Sequence, residues 1–355
     1  MSINVQDKSR SLQSTFVVLP APCHQHIEKH THHSGLVLSF RSMMALDEST
    51  NPLTLGFYNT PEQRKPIKLE VKGTIPAWLE GSLYRGAPGI YDVGQYTSEH
   101  WFDAFSRVYR FEISNGQVTY RSRNITDEMV AFIEETGRYP GAAFCQDPCK
   151  ILLGALESTW RDGKKLGDFS SSKNVGVNYV LNWPGKGQIG TGDPRYRNLI
   201  ATTDANDLLS LDVETMEPFE LFSYEAYEDS LYREGLSSAH PTYGADGSIY
   251  NQVTVPTEDG GAEYKVFEIS PLGESRVLAS ITDAPASYIH HVSGTENFVV
   301  LVVWQAYLDW EKIGQSGSVL GGLRPWDEAS DTLFCAASPI ALATSVSQLT
   351  SLSQT

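Results

Sequence analysis

The sequence predicts an all-β fold with a few short helices. Many short segments alternate apolar and polar residues, which is the pattern of a strand with one buried face. Glycine, asparagine and aspartate separate these segments, and one segment alone carries a full set of helix start and stop signals. Short strands with few helices suit a sandwich, a barrel or a propeller, and their periodicity does not choose among the three.

The first predicted strand runs from Ile67 to Val71, where apolar residues alternate with charged ones before Gly73. A hairpin is predicted across Asn115 and Gly116, because both residues tolerate positive φ and alternating segments flank them. Further strands are predicted at residues 178–181, 199–203, 208–213, 248–255, 264–270, 276–281 and 298–304.

The helix is predicted after Thr126, a residue type that caps helix N-termini. Asp127 and Glu128 supply acids to its first turn, apolar residues follow, and Gly137 supplies a stop.

Composition excludes some functions. The chain of 355 residues carries a net charge of −16, which argues against a nucleic-acid partner. Four cysteines show no disulfide framework, so a reduced, cytoplasmic protein is expected. The longest apolar run, Phe298 to Trp304, is too short to span a bilayer, so the protein is expected to be soluble or peripheral.

Three regions are predicted. Residues 1–50 form a polar leader, expected to lack fixed structure, that contains five of the nine histidines: His24, His26, His30, His32 and His33. A solvated leader is favoured over a metal site there, because nothing beside these residues fixes ligand geometry. Residues 51–332 form the main domain. Residues 333–355 form an uncharged tail, also expected to lack fixed structure; the last 24 residues contain no charged side chain, where about six are ordinary.

Four motifs of the main domain occur in a specific order. They are IPAWLEGSLYRGAPG at residues 75–89, HWFDAFSRVYRF at 100–111, SSAHP at 237–241 and SYIHHVSGTEN at 287–297. Together they resemble the carotenoid cleavage oxygenase family, over roughly residues 51 to 332. The helix after Thr126 and the Asp147-Pro148-Cys149 segment bring the chain closest to fungal torulene and apocarotenoid dioxygenases. Ala104 and Tyr109 depart from the usual glycine and histidine of the second motif.

The resemblance implies part of a seven-bladed β-propeller, roughly its first half to two thirds. It also implies a non-haem Fe(II) site of four histidines, which uses O2 to cleave a C=C bond of a carotenoid, apocarotenoid or stilbene-like alkene into carbonyl products. His240 and His290 match the first and second iron ligands. His291 is a less favoured alternate, because adjacent strand residues point to opposite faces. A structural role is favoured for His100.

Two further assignments come from the resemblance. Asp204 lies where the family places a carboxylate that hydrogen-bonds a ligand histidine, and a turn residue is the equal alternative. The segment with Ile151, Leu152, Leu153, Leu156 and Trp160 resembles one associated with membrane docking and polyene uptake, and a buried helix face is the equal alternative. Contact with a membrane or lipid body is therefore an alternative to a purely cytoplasmic location. Glu296 is interpreted as a turn or ladder residue.

After residue 334 the resemblance ends, which predicts a truncated member without the third and fourth histidines. Three functions remain open. The first is an Fe(II) dioxygenase, the second a catalytically silent remnant that binds an apolar ligand or a membrane, and the third and weakest a propeller-type interaction module.

Overall fold

The computed structural model describes residues 56–140, 143–145, 169, 172–188, 195–232 and 235–339, and the backbone of 347–349. Contacts between residues divide the chain into two units, one of residues 1–56 and 72–74 and the other of the remaining residues. The fold of the second unit is antiparallel β-sheet with three short α-helices among the described residues, so the all-β prediction is confirmed at this level.

The first sheet has four strands in the order β1-β6-β5-β2. Its strands are β1 (Ile67–Leu69), β2 (Gly81–Ile90), β5 (Phe105–Ser114) and β6 (Gln117–Asn124). Strands β3 (Asp92–Val93) and β4 (Tyr96–Thr97) form a separate pair. The predicted hairpin is confirmed: Asn115 and Gly116 have φ of 51° and 71°, and Ser114 pairs with Gln117. Strand β1 is shorter than predicted and is an exposed edge strand.

Helix α1 (Asp127–Thr136) follows this sheet and ends at Gly137, whose φ is 70°. Thr126 precedes the helix as predicted, but its side chain makes no capping hydrogen bond. A residue distant in sequence supplies the cap instead, since the backbone N–H of Glu128 donates to Oγ of Ser172 at 2.7 Å.

Three further sheets follow in chain order. The second has the order β10-β9-β8-β7, and the third has β11-β13-β14-β15 with β12 beside β13. The fourth has the order β16-β17-β18-β19. The second contains β7 (Asn178–Leu181), β8 (Leu199–Thr202), β9 (Leu208–Leu211) and β10 (Pro218–Phe222). The third contains β11 (Leu236–Ser237), β12 (Thr242–Tyr243), β13 (Ile249–Pro256), β14 (Ala262–Ile269) and β15 (Ser275–Ile281). The fourth contains β16 (Ser293–Gly294), β17 (Val299–Val303), β18 (Leu333–Ala337) and β19 (Ser347–Leu349), with α2 (Trp310–Ser316) and α3 (Val319–Gly322) between β17 and β18.

Each sheet packs its face against the next one. Leu199 of β8 lies in a cluster with Val108 of the first sheet, whereas Ile200 of β8 lies in a cluster with Ile249 of the third. A third cluster joins β14 and β15 to β17 and β18. Every residue of β8 is buried because both faces of its sheet are covered.

The predicted tail begins with an ordered strand, which corrects the expectation for residues 333–337. Strand β18 pairs with β17, and Cys335 and Ala337 are 1% and 5% exposed. Successive side chains of the strand point to opposite faces, so Cys335 and Ala337 share the face that lies in the core, whereas Phe334 is exposed on the other.

Several predictions lie outside the described residues. These are the leader of residues 1–50, the apolar segment containing Ile151, Leu152, Leu153, Leu156 and Trp160, and most of the tail. No helix within the described ranges is long and apolar enough to cross a bilayer.

Candidate metal centre

Three segments from successive sheets meet at one place. Asp204 follows β8 of the second sheet, His240 lies between β11 and β12 of the third, and His290 precedes β16 of the fourth. The backbone of the third and fourth sheets joins here, because His240 and His291 form a parallel bridge and the N–H of Val292 donates to the carbonyl of His240 at 3.2 Å.

The two predicted histidines are neighbours although 50 positions separate them in the sequence. The ring centres of His240 and His290 are 4.6 Å apart, with an angle of 73° between the ring planes. A metal–nitrogen distance of about 2.1 Å and a right angle at the metal would place two ring centres roughly 4.6 Å apart. The separation of the two ring centres therefore equals the one expected for two adjacent ligands of one ion.

Asp204 holds His290. Nδ1 of His290 lies 3.1 Å from Oδ1 and 3.0 Å from Oδ2 of Asp204, so Nδ1 carries the proton toward the carboxylate and Nε2 is left for another partner. The same carboxylate accepts the backbone N–H of Ala239 at 3.0 Å. Asp204 thus contacts the segments of both histidines. A role for Asp204 as a turn residue alone does not account for these hydrogen bonds.

The pKa values of the two histidines are shifted in opposite directions. The hydrogen bond to Asp204, followed by its charge, raises the pKa of His290, although partial burial opposes it. Burial, followed by the neighbouring His290, lowers the pKa of His240. A lowered pKa keeps the imidazole of His240 neutral near pH 7, which is the form that binds metals.

Ser238 links the two histidine segments and is fully buried. Its hydroxyl donates to the carbonyl of His290 at 2.7 Å and accepts the backbone N–H of His240 at 3.3 Å. Asn251 supports it by donating to the carbonyl of Ser238 at 2.9 Å. The motif contained Ser238, but nothing in the sequence showed that its hydroxyl would reach His290.

Tyr288 is the second residue without a predicted role. Its hydroxyl donates to Oδ2 of Asp204, and its ring stacks beside that of His290 with centres 6.4 Å apart and an angle of 15°. The spacing in the motif gave a signal for this contact, because residues two positions apart in an extended segment point to the same side.

His291 lies farther from His240 than His290 does. Its ring centre is 6.1 Å from that of His240, and the residue is exposed, as His290 is. Among the described residues, no three His, Cys, Asp or Glu side chains are grouped as a metal site. The arrangement therefore supplies two imidazoles and a carboxylate that orients one of them.

Two other predicted residues lie elsewhere. His100 accepts the backbone N–H of Phe102 at Nδ1 and stacks on Phe144, so it closes a short 3₁₀ turn. Glu296 is exposed in the turn between β16 and β17.

A series of aromatic rings extends from Phe102 to the pair. Phe102 is 58% exposed, and its ring meets that of Phe144 edge-on at 4.8 Å. Phe144 meets Tyr288 at 5.7 Å, and Tyr288 lies beside His290. Phe102, Phe144 and Tyr288 therefore form a continuous series of ring contacts that ends beside His290.

Comparisons with known proteins agree with these motifs. The family model described as RPE65, retinal pigment epithelial membrane protein, matches residues 56–338. A torulene dioxygenase from Gibberella fujikuroi is 29% identical over 322 residues, which cover 81% of this chain and 53% of that protein. A beta,beta-carotene 15,15'-dioxygenase from Rattus norvegicus is 30% identical over 270 residues, which cover 71% of this chain and 44% of that protein. The chain spans about half the length of these curated relatives.

Solved structures share the fold. A lignostilbene dioxygenase from Pseudomonas brassicacearum superposes with a TM-score of 0.61 at 19% identity, over 85% of this chain and 56% of that one. An apocarotenoid oxygenase from Synechocystis gives 0.58 at 16% identity, over 83% and 57% of the two chains. Because the family model covers well over half of the sequence, this chain belongs to the RPE65 or carotenoid oxygenase family.

Proposed function

We propose that the chain is part of a non-haem Fe(II)-dependent dioxygenase that cleaves a C=C bond of a carotenoid or apocarotenoid into carbonyl products. The observation that carries the proposal is the pair His240 and His290, 4.6 Å apart at their ring centres, with Asp204 on Nδ1 of His290. The relatives named as carotenoid dioxygenases supply the reaction class.

His240 and His290 would hold the iron through their imidazole nitrogens. Neutral imidazoles suit Fe(II), and iron bound there would supply the O2 chemistry. The residues of this chain have the remaining tasks. Asp204 keeps the proton of His290 on Nδ1, and Ser238 holds the two backbone segments together.

The substrate is proposed to be an apolar polyene. Trp101 and Phe102 are 48% and 58% exposed, and the rings of Phe144 and Tyr288 continue from Phe102 to the histidines. Apolar rings along this path would bind a polyene by burial of surface and exclude water from the alkene.

The sheets support a partial propeller as the framework. Four antiparallel sheets follow one another along the chain, and each packs face to face on the next. Consecutive four-stranded sheets of this kind are typical of propeller blades. The residues of the site come from the segments that join or flank the strands of three neighbouring sheets.

Iron content tests the proposal. The protein is purified after iron loading, and its iron is measured in the wild type, in the His240→Ala/His290→Ala double variant and in a His100→Ala control. We expect iron in the wild type and the control and its loss from the double variant. Unchanged iron in the double variant would contradict the assignment of these ligands.

A second candidate is a family member that binds an apolar ligand without metal. It is favoured by one observation: two imidazoles, and no third protein ligand, meet within the described residues. It predicts polyene binding, seen as quenching of tryptophan fluorescence, that is the same with and without iron. An aldehyde product that forms only with iron present would exclude it.

A further inference from the structure

The carboxylate of Asp204 receives hydrogen bonds from three segments. Nδ1 of His290 and the backbone N–H of Ala239 are two of the donors, at 3.0 Å each to their nearer oxygen. The hydroxyl of Tyr288 is the third. The side chain of Asp204 is 13% exposed, so protein groups rather than water set its orientation.

Other contacts fix Tyr288 in place. Its backbone carbonyl accepts Nε1–H of Trp304 at 2.7 Å, and its ring meets the ring of Phe144 at an angle of 84°. Burial, followed by the charge of Asp204, raises the pKa of Tyr288, so the hydroxyl keeps its proton and acts as a donor to the carboxylate.

The direction of these hydrogen bonds matters for His290. Tyr288 can only donate to Oδ2 of Asp204 when the carboxylate is turned toward it, and this same orientation presents both oxygens to Nδ1 of His290. Without the hydroxyl of Tyr288, the carboxylate of Asp204 accepts one hydrogen bond fewer and rotates more freely. The proton of His290 would then be shared between its two nitrogens.

We propose that Tyr288 is a positioning residue for His290: through Asp204, its hydroxyl keeps the histidine proton on Nδ1 and leaves Nε2 free for a metal ion. The inference deepens the proposed function and rests on it for the metal. The relation between Tyr288 and the tautomer of His290 can be tested without metal. Loss of such an outer partner lowers metal affinity by roughly 10- to 100-fold in other sites.

The first test is made on the metal-free chain of 355 residues. ¹⁵N NMR of the histidine rings at about pH 9, well above the ordinary histidine pKa, gives the tautomer of His290. We expect the wild type to hold Nδ1–H and Tyr288→Phe to move His290 toward a mixture of tautomers. Tyr250→Phe is the matched control, because it also removes a tyrosine-to-carboxylate hydrogen bond, to Glu268 at 3.3 Å, in which neither Asp204 nor His290 takes part. Identical His290 shifts in the wild type and Tyr288→Phe would overturn the inference.

The second test uses Co²⁺ as a spectroscopic substitute for Fe²⁺. Titration is expected to show about tenfold weaker binding by Tyr288→Phe and no change in Tyr250→Phe. If the wild type binds no metal ion, the proposed function is contradicted, and the tautomer measurement alone decides the role of Tyr288.

A double-variant cycle separates positioning from general loosening of the fold. If Tyr288 acts through Asp204, Tyr288→Phe changes the His290 tautomer in the wild-type background and adds nothing in an Asp204→Asn background. If Tyr288→Phe changed the His290 tautomer equally in the two backgrounds, the inference would be overturned. Thermal unfolding of each variant verifies that the proteins compared are folded.

Discussion

The hydroxyl of Ser238 donates a 2.7 Å hydrogen bond to the carbonyl of His290 and thereby ties the third sheet to the fourth. The same oxygen accepts the backbone N–H of His240 at 3.3 Å. One buried side chain therefore satisfies a backbone group on each side of the candidate centre. Backbone groups that lose their hydrogen-bond partner destabilise the folded protein.

Ser238→Ala is expected to lower the free energy of unfolding by about 1–3 kcal/mol, because it leaves the carbonyl of His290 and the N–H of His240 unsatisfied. Urea unfolding followed by tryptophan fluorescence measures this change. Ser280→Ala is the control, since Ser280 is exposed and its hydroxyl donates to the side chain of Glu263. Equal stability of the Ser238 and Ser280 variants would contradict the linking role.

Gly294→Ala is expected to destabilise the junction beside His290. A Cβ at Gly294 would lie 2.6 Å from Oγ1 and 2.9 Å from Cγ2 of Thr242, and a β-branched side chain has little freedom to move. We expect a loss of about 1–3 kcal/mol in unfolding free energy. Gly187→Ala is the matched control, because nothing lies within 4 Å of the added Cβ. If Gly294→Ala were as stable as Gly187→Ala, the side chain of Thr242 would have moved aside without loss of stability, contrary to this prediction.

The buried carboxyl of Asp103 makes the stability of the fold depend on pH. Burial raises its pKa to about 6, even though the backbone N–H groups of Cys145 and Phe144 donate to it. The folded state therefore binds the proton more tightly than the unfolded state, whose pKa is 3.8. The contribution of protonated Asp103 to the free energy of unfolding is fully present below about pH 4. It is lost as the pH rises through about 6, which lowers that free energy by about 3 kcal/mol.

Asp103→Asn removes this titration. Relative to the wild type, the unfolding free energy of the variant should rise as pH increases from about 4 to 6 and stay level above that. Urea unfolding at several pH values measures the difference. Asp229→Asn serves as the control because Asp229 is exposed. A constant difference between Asp103→Asn and the wild type would refute the buried titration.

Strand β18 gives a test of the C-terminal region. Cys335 is 1% exposed, so Cys335→Asp would bury an unpaired charge and should cost about 3 kcal/mol or more. Phe334→Asp is the paired control on the opposite face, where Phe334 is 37% exposed, and should cost less. Equal unfolding midpoints for the two variants would contradict the burial of this strand.

Local patterns predicted much of the secondary structure. Asn115 and Gly116 formed the expected hairpin because the positive φ of a tight turn is a property of those residues. Gly137 ended the helix for the same reason. Strand β18 was missed because five consecutive apolar residues show no alternation that would distinguish a strand from an irregular tail.

By itself the sequence determined the all-β class, the family through its ordered motifs, and the histidines and aspartate to consider. The tertiary structure alone decided that His240, His290 and Asp204 meet, and that Ser238 and Tyr288 complete their hydrogen bonds. The physical reason is the separation along the sequence of the residues that interact. A turn or a strand depends on neighbours a few residues away, whereas the tautomer of His290 depends on a carboxylate 86 positions earlier, which the packing of successive sheets brings within 3.0 Å.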